Sequence, residues 1–102
     1  MKTRFPGNWS LHMRSGELQL CFNAETPLHY DNFTQFAELL VASLAVKVIQ
    51  QDMGADAYCW VFHYQDANLL LNYQEMSQSC WICTTRDADE VALLALANQL
   101  AE

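Results

Sequence analysis

The residues best suited to chemistry in this 102-residue chain are its four cysteines and three histidines. Cys80 and Cys83 form a C-x-x-C, and Cys59 precedes His63 on what reads as the same strand. Such spacings occur in thiol–disulfide exchange and in zinc sites, because a thiolate is both a nucleophile and a metal ligand. The first question is therefore whether these thiols can act together.

The C-x-x-C lies in a segment, Ser79 to Thr85, whose aromatic and β-branched residues favour a strand. A redox C-x-x-C instead sits at the start of a helix, which lowers the pKa of the first thiol. In a strand, residues three apart point to opposite faces with Cα atoms about 10 Å apart, too far for a disulfide. We therefore predict no Cys80–Cys83 disulfide, with one thiol in the core and at most one near His63.

A zinc site is the second possibility for these thiols. Structural zinc usually requires two close pairs of ligands, and the chain contains one C-x-x-C. We therefore expect no metal and no cofactor. The alternative is a metal site made by His63 and Cys59, which share a strand face, together with Cys83 or with Cys80, because the sequence does not fix the register of the last strand.

Catalytic motifs are missing from the sequence. It contains no P-loop, dinucleotide-binding fingerprint, nucleophile elbow or H-E-x-x-H motif. Its carboxylates are scattered over predicted caps, turns and termini. We therefore assign no catalytic residue and favour a protein that is not an enzyme.

Composition excludes further classes of function. Apolar residues make up 52% of the chain and the net charge is −7, which indicates one folded, acidic domain over residues 1–102. This charge repels phosphate, so we expect no nucleic-acid partner. The longest apolar run, Leu39 to Val46, is too short for a membrane span. No signal peptide is recognisable, so we expect a cytoplasmic protein with reduced cysteines.

The elements that would position these residues begin with a hairpin. Alternating apolar and polar residues flank Ser15-Gly16, a dipeptide that favours a two-residue turn. This turn pairs Met13 with Leu18, Leu11 with Leu20 and Trp9 with Phe22, which places the large apolar side chains on one face.

A long helix is predicted next. Asp31 or Asn32 caps its start, it runs to about Met53, and Gly54 follows as the residue that ends it. Besides the stripe that faces the core, it carries a second apolar stripe where a surface helix would be polar. We interpret this stripe as a partner interface, and as the reason to expect a homodimer; its residues are Leu39, Ala42, Val46 and Ile49.

The remaining residues predict three strands and a helix. Tyr58 to Gln65 forms a strand whose turn, Asp66-Ala67, pairs Tyr64 with Leu69, Phe62 with Leu71 and Trp60 with Tyr73. A fifth strand runs from Ser79 to Thr85, and a helix starts at Asp87. The order β-β-α-β-β-β-α predicts an α+β fold, a five-stranded, mainly antiparallel sheet with both helices on one face.

One segment resembles known families. Trp60-Val61-Phe62-His63-Tyr64, followed by Ser79-Cys80-Trp81, is similar to segments of short uncharacterised bacterial domain families. The resemblance implies a bacterial cytoplasmic protein and brings no activity or functional residue with it.

These observations favour a small acidic cytoplasmic protein without enzymatic activity. We expect it to bind another protein, as an adaptor, a chaperone-like or an immunity-like protein, and to form a homodimer. The alternative is a small-molecule or metal-binding protein, or a small enzyme. It would use the open sheet face, the one opposite the helices, around His63, Asn72, Trp81 and Cys83.

Overall fold

Residues 5–101, the part of the chain that the computed structural model describes, form one six-stranded sheet and two α-helices. The strands follow the order β1-β2-β6-β5-β4-β3, and every neighbouring pair is antiparallel. The elements are β1 (Gly7–Arg14), β2 (Glu17–Ala24), α1 (Phe33–Leu44), β3 (Lys47–Met53), β4 (Ala57–Tyr64), β5 (Ala67–Gln74), β6 (Ser79–Thr84), a 3-10 turn (Asp87–Asp89) and α2 (Glu90–Leu100). The class is α+β, but the predicted five strands and the order β-β-α-β-β-β-α are wrong.

The sixth strand arises because α1 ends much earlier than predicted. Ala45 adopts left-handed backbone angles, φ 57° and ψ 42°. Its N–H donates to the carbonyl of Ala42, and the N–H of Val46 donates to that of Val41. This pattern is a Schellman motif, which ends a helix and turns the chain away from its axis. The residues that follow, Lys47–Met53, pair with β4 as an edge strand.

Gly54 therefore does not end the helix. It lies in the β3–β4 turn, where its N–H donates to the carbonyl of Ala57 at 2.8 Å. The predicted second apolar stripe is also divided between elements, because Leu39 and Ala42 lie on α1, Val46 lies in the connection and Ile49 lies on β3.

The first hairpin has the predicted register. Met13 pairs with Leu18, and the pairs continue towards Trp9 and Phe22. Ser15 and Gly16 have positive φ angles of 53° and 75°. Two successive residues with positive φ are typical of a type I′ turn, whose twist matches that of the two strands.

The β4–β5 hairpin has a register two residues away from the prediction. Its turn is Gln65-Asp66, with φ angles of 49° and 64°, so that Tyr64 pairs with Ala67 and not with Leu69. A shift of two residues leaves each side chain on the same face of the sheet. The predicted aromatic core face is therefore retained although the predicted pairs are wrong.

Both helices pack on one face of the sheet. Phe33 of α1 stacks on Tyr58 and Tyr73, at centroid distances of 4.7 and 5.3 Å. In α2, Leu93 and Leu96 are fully buried in the same core cluster. None of the helices within residues 5–101 has the length and apolarity needed to cross a membrane.

Candidate functional site

The face of the sheet opposite the helices is the candidate functional site, and we call it the open face. Its residues follow from strand alternation, because the neighbouring residues of each strand point into the helix-covered core. No helix covers it in the part of the chain that the structure describes. At its centre β2, β6, β5 and β4 contribute Cys21, Trp81, Cys83, Leu70, Asn72, Cys59 and Val61.

One cross-strand row runs over the whole open face. Trp81 on β6 pairs with Cys21 on one side and with Asn72 on the other. Asn72 pairs with Cys59, which pairs with Asp52 on the edge strand β3. Side chains of directly paired residues on one face are neighbours, so this row places an indole, an amide, a thiol and a carboxylate side by side.

The two cysteines of the C-x-x-C are on opposite faces, as strand alternation predicted. Cys80 pairs with Tyr73 in the core, whereas Cys83 pairs with Leu70 on the open face. The four cysteines of the chain are all free thiols. Burial raises the pKa of Cys80 well above its ordinary value. Burial, followed by the charge of Glu17, raises the pKa of Cys83 to about 11.

Cys83 is held by its neighbours on the open face. The Asn72 amide nitrogen donates to its sulfur at 3.4 Å and to the carbonyl of Leu70 at 3.2 Å. Together with a hydrogen bond from Trp81, this contact lowers the pKa of Cys83, but less than burial raises it. A thiol with a raised pKa carries little thiolate at neutral pH, which is the opposite of what nucleophilic catalysis requires.

His63 lies apart from these residues. Its side chain is exposed, and its Nδ1 is 3.2 Å from the Asn68 side-chain oxygen, beside the β4–β5 turn. Cys59 lies four residues away along β4, about 13 Å at the rise of a strand. Among residues 5–101 no three His, Cys, Asp or Glu side chains are placed to hold a metal ion. The structure thus brings together Asn72, Trp81 and Cys83 but leaves His63 outside the group.

A depression of about 220 Å³ lies on the open face next to Trp81. Its lining includes Trp81, Asn72, Cys59 and Asp52 of the cross-strand row, and it extends beyond that row to Gly54, Ala57 and Gln74. Sequence reasoning missed Asp52, because it placed this residue inside the long helix. The signal available in the sequence is the β-branched content of Val46, Val48 and Ile49, which favours a strand.

A second polar cluster holds the loop before α1. The Tyr73 hydroxyl donates to the carbonyl of Leu28 at 2.8 Å and also contacts the Glu75 carboxylate. Glu75 accepts a further hydrogen bond from the N–H of Tyr30 at 2.9 Å. The hydrogen bond from Tyr73 lowers the pKa of Glu75. These contacts tie the loop to β5 and explain how the start of α1 is positioned over the core.

The described residues thus form an α+β protein in which two helices cover one face of an antiparallel sheet and leave the other open. The chain belongs to the family described as Protein of unknown function (DUF3630), whose model matches residues 9–101. Comparison with curated proteins gives no match, and comparison with solved structures gives none either.

Proposed function

We propose that this protein acts by binding another protein through the open face of its sheet. The observation that carries the proposal is the composition of the centre of that face. Apart from Asn72, the residues at this centre are thiols and the apolar side chains of Leu70, Val61 and Trp81. They are at least partly buried although no described helix packs on them. An antiparallel sheet with one solvated face normally alternates apolar residues inside with polar ones outside.

The distribution of charge supports the same proposal. Charged side chains of the open face lie at its margins, with Arg14 and Glu17 at the β1–β2 turn and Lys47 and Asp52 on β3. The centre of a protein interface is typically depleted of charge and enriched in aromatic residues, within a polar rim. The open face has this arrangement, with Trp81 near its middle.

Binding of a small molecule in the depression is the second candidate. It is favoured by the contact between Asn72 and Cys83 next to the Trp81 ring. Pockets for small molecules usually enclose about 300–1,000 Å³. The volume of about 220 Å³ is below that range, so we place the depression within a larger protein-binding surface.

Self-association is a separate prediction. The residues of the stripe that suggested a homodimer lie on α1, on β3 and in the connection between them, and the homodimer stays a prediction. A second copy of the chain is also the alternative occupant of the open face. Light scattering on the purified protein tests self-association, and the Leu70→Glu variant described next shows whether a dimer uses the open face.

Two matched variants test the open face. Leu70→Glu places a charge at its centre, and Leu94→Glu makes the same change on α2, where Leu94 is 45% exposed. After thermal melting has shown that both variants fold, each is used with wild type as bait in affinity capture from the source cell. We expect wild type and Leu94→Glu to capture the same partner, and we expect Leu70→Glu to lose it. A partner retained by both variants, or a wild-type dimer that Leu70→Glu dissociates, contradicts the proposal.

A further inference from the structure

The depression on the open face contains acceptor oxygens that the described residues leave unused. The Asn72 amide donates through its nitrogen, whereas its side-chain oxygen accepts no hydrogen bond from residues 5–101. Within the same described residues, Asp52 accepts through one oxygen only, from the Gln50 amide at 2.6 Å. A ligand that carries hydrogen-bond donors would therefore find free acceptors in the depression.

The charge of the depression favours a cation. Asp52 supplies a carboxylate, and the described lining residues include no Lys, Arg or His. The net charge of −7 adds an attractive field for a basic partner and a repulsive one for an anion. Trp81 adds an indole ring, the aromatic group that attracts cations most strongly.

The combination of an indole ring, a carboxylate and an unused amide oxygen favours a planar cation on a long apolar stem. Trp81 and Asp52 lie on strands three spacings apart, about 14 Å, with Asn72 and Cys59 between them. A guanidinium stacks on aromatic rings and presents five donors in one plane, whereas an ammonium is a compact, strongly hydrated charge. The stem of an arginine packs on apolar surface while its charged end stays in a polar environment.

From these observations we propose that the depression receives an arginine side chain of the protein partner, with the guanidinium between the Trp81 ring and the Asp52 carboxylate. This inference rests on the proposed function of the open face and names the group that is recognised there. A basic segment of the partner would then lie over β4, β5 and β6.

The test uses a short peptide, N-acetyl-Gly-Arg-Gly-amide, titrated into ¹⁵N-labelled protein. The readout is the NMR signal of the Trp81 indole N–H, which is identified by its loss in Trp81→Phe. A second peptide with citrulline in place of arginine keeps the shape and removes the charge, and a third carries lysine. We expect the arginine peptide to shift the Trp81 signal, to bind more tightly than both controls and to weaken as salt is added.

Two charge variants complete the design. Asp52→Asn removes the carboxylate of the depression, and we expect a loss of affinity of roughly two- to fivefold, the range of an exposed ion pair. Asp66→Asn makes the same charge change at the far end of β4, in a turn where asparagine tolerates the φ of 64°. This control should bind the arginine peptide like wild type.

Equal binding of the arginine and citrulline peptides would overturn the proposal, as would equal affinities of Asp52→Asn and Asp66→Asn. Equal binding of the lysine peptide would overturn the choice of a guanidinium. Absence of any Trp81 shift would also refute the arginine site. The function proposed for the open face would survive that result if Leu70→Glu still abolished capture of the partner, so the two failures can be told apart.

Discussion

Replacement of Ala45 by glycine should stabilise this protein, whereas the same replacement three residues earlier, at Ala42, should destabilise it. Ala45 has a φ of 57°, and a left-handed conformation costs an L-residue about 1–2 kcal/mol. Glycine removes that cost, but it adds entropy to the unfolded chain worth about 0.4–1 kcal/mol. Since the Ala45 side chain is exposed, little packing is lost. The expected net gain is about 0.5–1 kcal/mol.

Ala42 is the matched control because it is exposed within α1. Glycine in a helix interior costs about 0.5–1 kcal/mol relative to alanine. The two variants should therefore differ in their free energy of unfolding by roughly 1–2 kcal/mol. With a urea slope of about 1–3 kcal/mol/M, this separates their denaturation midpoints by on the order of 1 M.

Urea unfolding followed by circular dichroism provides the measurement. A helix that continued past Ala45, as the sequence predicted, would make both variants destabilising by similar amounts. That result would refute the conclusion that α1 ends at Leu44, and with it the assignment of β3 and the position of Asp52. The opposite signs expected here depend on the backbone alone and not on any partner.

Three further predictions concern the polar and thiol groups. Tyr73→Phe should lower the free energy of unfolding by about 1–3 kcal/mol in urea, because it removes the hydroxyl that contacts Leu28 and Glu75, and a negligible change would contradict the role of this cluster. Glu75 has a pKa lowered from 4.5, so its stabilising contribution is present above that pH and is lost as pH falls through the folded-state pKa. The stability difference between wild type and Glu75→Gln should thus shrink below about pH 4.5, and an equal pH dependence of both proteins would exclude this linkage. Iodoacetamide at pH 7.5 should modify Cys83 much more slowly in the folded protein than after unfolding, since a pKa of about 11 against an ordinary 9.0 leaves about 100-fold less thiolate. Mass spectrometry of the Cys83 peptide measures both rates, and equal rates would argue against the buried position.

Local patterns predicted those parts of the fold that depend on neighbours in the chain. Ser15-Gly16 accepts positive φ, and the alternation on both sides of it admits one register, so the first hairpin could be derived completely. In the second hairpin, alternation predicted the faces but not the pairs. Asp66, the residue that favours a turn here, belongs both to Asp66-Ala67 and to the observed turn Gln65-Asp66, and a two-residue shift leaves the faces unchanged.

The helix end could not be predicted in the same way. Alanine is the best helix former, so nothing at Ala45 favours a left-handed residue over one more helical turn. The edge of β4 would remain unpaired if the helix continued, and β3 satisfies its backbone groups instead. These hydrogen bonds form between two separate segments, so the residue type at position 45 does not indicate them.

The sequence by itself determined the α+β class, through the periods of 3.6 and two, and the opposite faces of Cys80 and Cys83, through the period of two along a strand. Both are local properties, and they do not determine which of the two cysteines lies on the open face. Only the tertiary structure decided that Asp52 joins this face and that His63 stays outside the group. Both outcomes depend on which strands lie side by side and in which register, and that choice is made by packing between segments that are distant in the chain.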